Sequence, residues 1–206
     1  MELERIGNLL LQYAEENKES LNQLDGIQGD GDLGITILLG AKALAESAKQ
    51  SNSISEWFLN GGKALRKAAP STMGVLISSA LIKAGKQINH EPLTLQDWVE
   101  IQKAMIEEIQ TRGGAKLGDK TILDCFIPAV LAFEEAVASG KDISEVLAYT
   151  TKIAHDAATK TETMRSKIGR SSWLGERAKN TIDGGAWVCY QIYDLLCKQL
   201  KIKNLK

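Results

Sequence analysis

Strand signals are nearly absent from this chain. Its β-branched residues fall inside segments of helical period instead of alternating runs, which argues against a sheet-based architecture. No Pro- or Ser-rich linker and no internal repeat divides the 206 residues, a length that supports one sizeable core or at most two small ones. Cysteines number three, Cys125, Cys189 and Cys197. They lack CxxC spacing and lie in apolar stretches, so they read as reduced, buried thiols. A net charge of −1 gives no global pull toward nucleic acid or an anionic membrane. The amphipathic, acidic N-terminus has no signal-peptide core, and no apolar run is long enough to span a bilayer. The expectation is a cytoplasmic protein with neither nucleic acid nor membrane among its partners.

What is present is helical period. Eight segments carry it, roughly 2–22, 34–49, 53–68, 72–88, 94–111, 120–139, 143–167 and 183–201. Ser53-Ile-Ser-Glu56 and Thr94-Leu-Gln-Asp97 have the spacing of N-terminal capping boxes. Gly140 follows the sixth segment where a C-cap glycine belongs. Leu9, Leu10, Tyr13 and Ala14 form an apolar stripe, as do Ile143, Val146, Leu147, Thr150, Ile153 and Ala154. Segments 72–84 and 122–133 are apolar almost all round, as central helices are, and Pro128 inside the latter predicts a kink or local break. The pattern predicts a single all-α domain of antiparallel helices.

Five polar or glycine-rich joints separate the helices, at 25–34, 69–74, 112–121, 168–177 and 181–186. Alternate loops of an up-and-down bundle emerge at the same end, so the first four joints and the start of the last helix are expected at one rim. The first joint reads Asp25-Gly-Ile-Gln-Gly-Asp-Gly-Asp-Leu-Gly34. Three aspartates so close repel one another as bare anions, and a hard divalent cation that wants several oxygens removes that repulsion. The alternative is a solvated acidic turn. The second joint, Ala69-Pro-Ser-Thr-Met-Gly74, opens an apolar helix with two hydroxyls; its N–H groups suit phosphate oxygens, while Ser71 also reads as an ordinary N-cap. The third, Arg112-Gly-Gly-Ala-Lys-Leu-Gly-Asp-Lys-Thr121, lacks Walker A spacing. The fourth supplies Arg170, a phosphate fork, and the fifth places Asp183 at the N-cap of the last helix. His90 and His155 fall outside all five joints, and no serine, cysteine or histidine is placed as a covalent nucleophile. Carboxylates with phosphate-compatible loops point to phosphoryl transfer by positioning and charge neutralisation.

Asp25 followed by Gly29-Asp-Gly-Asp-Leu-Gly34, Gly114-Ala-Lys-Leu-Gly-Asp-Lys-Thr121, Gly169 to Arg177, and Asp183 to Ala186 occur in order along the whole chain. In this combination the chain resembles the ADP-binding L subunit, or L domain, of the dihydroxyacetone kinases. The resemblance implies an eight-helix antiparallel barrel with the nucleotide at one rim, spanning 1–206 as one L-type domain. It implies that Asp25, Asp30 and Asp32 hold two magnesium ions bridging the phosphates of ADP or ATP. Thr72 and Met73 take the phosphate-loop positions, Gly113 lies near the adenine, Arg170 contacts the nucleotide, and Asp183 and Gly184 flank it. Leu33, Thr36, Ser71 and Ile122 complete the expected nucleotide set. Lys120 and Thr121 match the family pattern without an assigned contact.

Two departures stand out: Leu33 replaces the histidine of many members, and the phosphate loop is Pro-Ser-Thr-Met-Gly in place of a glycine- and serine-rich version. The acceptor is therefore expected to be dihydroxyacetone or a related short keto-sugar. It would be bound on a separate K subunit, with a phosphohistidine carrier of the phosphotransferase system recharging the ADP. The rival readings are a kinase subunit using free ATP, such as one of the fatty-acid kinase type, and a non-catalytic regulatory binding partner.

Overall fold

Eight α-helices form where the apolar periodicity placed them, and no strand occurs among the residues described by this computed structural model, 2–169, 172 and 180–203. They are α1 (Glu2–Gly26), α2 (Leu33–Lys49), α3 (Ile54–Ala68), α4 (Thr72–Gln87), α5 (Leu95–Gly113), α6 (Leu123–Ala138), α7 (Ile143–Lys160) and α8 (Gly184–Lys203), with a 3-10 turn at Thr161–Thr163.

Local chemistry sets most of the ends. Ser53 caps α3 by accepting from Glu56 N at 3.1 Å. The Glu56 carboxylate, however, takes the N–H of Asn52 at 2.8 Å, so this capping box is displaced by one residue. At α5 the box is reciprocal: Thr94 N donates to Asp97 Oδ2 at 2.7 Å and Asp97 N to Thr94 Oγ1 at 3.2 Å. A third box, Asp142 with Glu145, starts α7. Gly140, at φ +72°, ends α6 in a Schellman motif, its N–H donating to Val137 O and that of Lys141 to Ala136 O.

Three boundaries differ from the sequence expectation. Helix α1 continues to Gly26, carrying Asp25 in its last turn. Helix α6 begins at Leu123, not 120, because Lys120 takes a left-handed φ of +62° that no helix continues through. Helix α7 stops at Lys160 rather than 167; the Thr161 hydroxyl donates to Ala158 O at 2.6 Å and the chain tightens into the 3-10 turn. Helix α6 also runs through Pro128 without a break. One backbone bond is lost there, and burial of Leu123, Cys125, Phe126, Ala129, Val130 and Phe133 outweighs it.

The chain divides into two compact units, Met1–Leu93 with Glu100–Gly114, and Thr94–Val99 with Ala115–Lys206. In the first, α1 packs on α2, α2 on α3 and α3 on α4. Small residues line these seams: a Cβ on Gly7 would lie 3.0 Å from Ala45 Cα, and Ala14, Ala41, Ala45, Ala80 and Ala84 are buried. The Trp57 indole N–H donates to Leu44 O at 2.9 Å, tying α3 to α2. In the second unit α6, α7 and α8 pack on one another. The α7 stripe is buried at Val146, Leu147, Thr150 and Ala154, and Cys125, Cys189 and Cys197 are buried free thiols as expected. No helix among the described residues is long and apolar enough to cross a membrane.

The close approach at Gly34 gives the sharpest test of this packing, since a Cβ there would lie 1.9 Å from the carbonyl oxygen of Lys18. Gly34→Ala is expected to cost roughly 3 kcal/mol or more, because backbone must move. Gly140→Ala, with φ +72° and nothing within 4 Å, should cost only about 1 kcal/mol. Urea unfolding of both variants measures the difference, and equal costs would contradict the α1–α2 geometry.

Candidate functional site

The extra turn of α1 builds the acidic site. Asp25 is at its end, and the chain reverses around that residue: Gln28 N and Gly29 N donate to the Asp25 carbonyl oxygen, while Gly31 N and Asp32 N donate to Asp25 Oδ2 at 2.8 and 3.1 Å. Gly31 adopts φ +74°, and Gly29 passes so close that a Cβ would lie 2.5 Å from Asp25 Oδ1. Asp32 holds the N-cap position of α2 yet makes no side-chain capping bond, which leaves its carboxylate for something else. As a result Asp25, Asp30 and Asp32 each present an oxygen within 4.8 Å of the others. On one octahedral magnesium at about 2.1 Å, adjacent oxygens lie about 3.0 Å apart and opposite ones about 4.2 Å, so the three draw closer together to share a single ion. The donor set, all carboxylate oxygen, fits a hard divalent cation.

Other expected nucleotide residues of this unit are joined to that loop. Leu33 and Thr36 lie in the first turn of α2, with Leu33 buried at 6% exposure so that its side chain faces the core. The Thr36 hydroxyl donates to Ser71 Oγ at 3.2 Å, and Ser71 Oγ accepts from Gly74 N at 3.1 Å. Ser71 is therefore the N-cap of α4 and the link from that helix to the acidic loop. Thr72 and Met73 follow in the first turn of α4, where N–H groups lack intrahelical acceptors. At Gly113, the last residue of α5, a Cβ would lie 3.4 Å from Leu76 Cδ1 of α4.

The second unit holds Ile122, Asp183 and Gly184; Arg170 and residues 171 and 173–177 lie outside the described residues. Ile122 is buried at the start of α6. Asp183 caps α8, its Oδ2 accepting from Ala186 N at 2.8 Å, and its own N–H donates to Thr161 Oγ1 at 2.9 Å. Burial pushes the Asp183 carboxyl up to about 6, against the Ala186 and Gly185 N–H groups and the Lys120 ammonium, with Asp124 adding to the rise. Lys120, left without a contact by sequence reasoning, is 2% exposed. Burial lowers its pKa, and Asp183 and Glu162 counter that effect. Asp124, also missed, accepts from Gly118 N at 2.6 Å and Thr121 N at 2.8 Å, shaping the Gly-Asp-Lys-Thr turn. The Thr121-Ile-Leu-Asp124 spacing, a capping-box pattern, was the signal for it.

A family model described as the DAK2 domain matches residues 27–198. The chain belongs to the DAK2-domain family. Among relatives, it is 29% identical over 175 residues to the PEP-dependent dihydroxyacetone kinase 1, ADP-binding subunit, of Listeria innocua serovar 6a, covering 84% of this chain and 83% of that protein. It is 32% identical over 190 residues to the D-erythrulose kinase of Mycolicibacterium smegmatis, covering 88% of this chain but 32% of that longer enzyme. The dihydroxyacetone kinase of C. freundii in complex with AMP-PNP and Mg²⁺ shares the fold, with a TM-score of 0.74 at 22% identity over 96% of this chain and 33% of that one.

The buried carboxyl of the DAK2 α8 turn makes a pH prediction. An unfolded aspartate titrates near 4, whereas Asp183 in the fold titrates at about 6. The fold holds this proton more tightly, so Asp183 contributes stability that is fully present below pH 4 and lost as the pH rises through 6. Between those values the unfolding free energy of the wild type should fall, relative to Asp183→Asn, by roughly 3 kcal/mol. Urea unfolding across that range, without nucleotide, decides it; parallel curves for the two proteins would rule out a buried titrating Asp183.

Proposed function

We propose that this DAK2 chain holds ADP or ATP with magnesium and passes the phosphoryl group to dihydroxyacetone, or a related short keto-sugar, bound on a separate K subunit. A phosphohistidine carrier of the phosphotransferase system then recharges the bound ADP. The observation that carries the reading is the convergence of Asp25, Asp30 and Asp32, joined through Thr36 and Ser71 to the open N-terminus of α4. The relatives support it: the Listeria protein is named as an ADP-binding subunit of a PEP-dependent kinase, and the C. freundii enzyme is known with AMP-PNP and Mg²⁺. A relative named for D-erythrulose supports an acceptor class that extends beyond the triose.

In this reading residues 1–206 act as one L-type domain in the cytoplasm, and Asp25, Asp30 and Asp32 hold two magnesium ions. Bound magnesium supplies charge neutralisation across the phosphate oxygens. The N–H groups of Thr72 and Met73, at the positive end of α4, face phosphate oxygens. Thr36 and Ser71 fix the α4 terminus against the acidic loop, and Leu33 contributes through its backbone. The family resemblance assigns the remaining nucleotide contacts to Gly113, Ile122, Arg170, Asp183 and Gly184. The acceptor hydroxyl oxygen bonds to the γ-phosphorus, the bond from phosphorus to the ADP oxygen breaks, and the hydroxyl proton is released. ADP stays on the chain. No residue of this chain forms a covalent intermediate; its contribution is position and charge.

Denaturing the purified protein and chromatographing the supernatant should release ADP in stoichiometric amount. Asp30→Asn should abolish magnesium-dependent ADP retention, while circular dichroism shows unchanged helicity. Undiminished ADP in that variant would refute the metal assignment. A nucleotide-free wild type that turns over free ATP with a K partner would replace the bound-cofactor model by the ATP-dependent one.

A further inference from the structure

The Gly118-Asp-Lys-Thr121 turn contains a cation with no role in the reading above. Lys120 is the bulkiest of the fully buried side chains, at 2% exposure, and its backbone is held at φ +62°, a conformation that an L residue adopts only when its surroundings impose it. Two hydrogen bonds impose it here. The buried Asp124 carboxylate accepts from Gly118 N and Thr121 N, on either side of Lys120, and so fixes the turn from below. The neighbouring Asp119 is held as well, its carboxylate accepting from Lys116 N at 2.7 Å and its carbonyl from Lys167 N at 3.2 Å. The turn is thus rigid, and the ammonium is directed into the interior of its own unit.

Hydrogen bonds gather the acidic segments around this turn: the Asp119 carbonyl accepts from Lys167 N, that of Glu162 from Asn180 N, and Thr161 Oγ1 from Asp183 N. Asp183 and Glu162 lie within electrostatic reach of Lys120, and Asp124 lies within reach of Asp183. Glu162 belongs to the 3-10 turn after α7, whose neighbour Thr161 accepts the Asp183 N–H. The 181–186 turn is therefore held from two sides: its backbone by Thr161, and its carboxylate by the Ala186 N–H within the turn and by the field of Lys120. A buried carboxylate without a counter-charge is costly. Removing the cation is accordingly expected to release Asp183 from its cap and shift the first turn of α8.

We propose that Lys120 is a positioning residue whose buried ammonium holds Asp183, and with it the start of α8 at Gly184, in the geometry that receives the nucleotide. The last clause rests on the function proposed above; the Lys120–Asp183 coupling does not. This assigns the lysine of the Gly-Asp-Lys-Thr motif to electrostatic support of a turn distant in sequence, without direct contact with substrate.

The test compares Lys120→Met, Lys120→Arg, Asp183→Asn and the double variant Lys120→Met/Asp183→Asn, with two readouts on each full-length protein. Urea midpoints measure coupling in the absence of ligand, and calorimetric titration with Mg–ADP, after nucleotide is stripped, measures affinity. Lys120→Met should weaken Mg–ADP binding at least tenfold, and Lys120→Arg should recover most of that loss. In the Asp183→Asn background the same methionine substitution should cost less than threefold, because the charge it served is gone. Should Lys120→Met not fold, regained folding of the double variant is the same coupling, and Lys120→Gln carries the affinity arm. Wild-type affinity in both neutral variants, or an equal loss with and without Asp183, overturns the Lys120 role. A wild type that binds no Mg–ADP while the stability coupling stands overturns the nucleotide reading, and the nucleotide part of this role with it.

Discussion

The carboxylate of Asp25 does two things that pull in opposite directions. As an anion it repels Asp30 and Asp32, and as a hydrogen-bond acceptor it takes the N–H groups of Gly31 and Asp32 through a single oxygen. Those two bonds, with two more to its backbone carbonyl, fold residues 28–32 back over the end of α1. Backbone donors thus hold the loop, and its three carboxylates gather within reach of one another. Gly29 and Gly31 are the residues that let the chain pass this close and turn this tightly.

Much else in the first unit follows from that reversal. Helix α2 leaves the loop so close to α1 that Gly34 has a carbonyl oxygen where any side chain would go. The same short path places Thr36 opposite Ser71 and ties the beginning of α4 to the acidic loop. Packing and the acidic cluster therefore lie within ten positions of each other in the chain: Gly34 serves the helix seam, and Asp25, Asp30 and Asp32 converge. The second unit repeats the logic with different groups. Asp124 shapes a turn, the turn buries Lys120, and the lysine compensates the acid that begins α8.

Membership of the DAK2 family matches the ordered motifs that the sequence displays, and the acidic loop and the α8 turn are where those motifs become geometry. Ser71 and Asp183 are ordinary N-caps by their hydrogen bonds. Capping and ligand binding are compatible roles, since one side chain satisfies one of the several free N–H groups at a helix start and leaves others available.

Local rules were legible in the sequence. The number and order of the helices, most of their ends, the Thr94–Asp97 box and the Gly140 ending depend on residues within about five positions of each other, and the structure reproduces them. The acidic motif likewise announced its carboxylates, because their spacing is itself the signal. Tertiary structure alone decided the rest: the added turn that puts Asp25 on α1, the continuity of α6 through Pro128, the contact of Thr36 with Ser71, and the burial of Lys120. Each of these depends on groups brought together by packing, where burial and charge act through space. A lysine in a glycine-rich turn looks solvated until its partners, far along the chain, arrive around it.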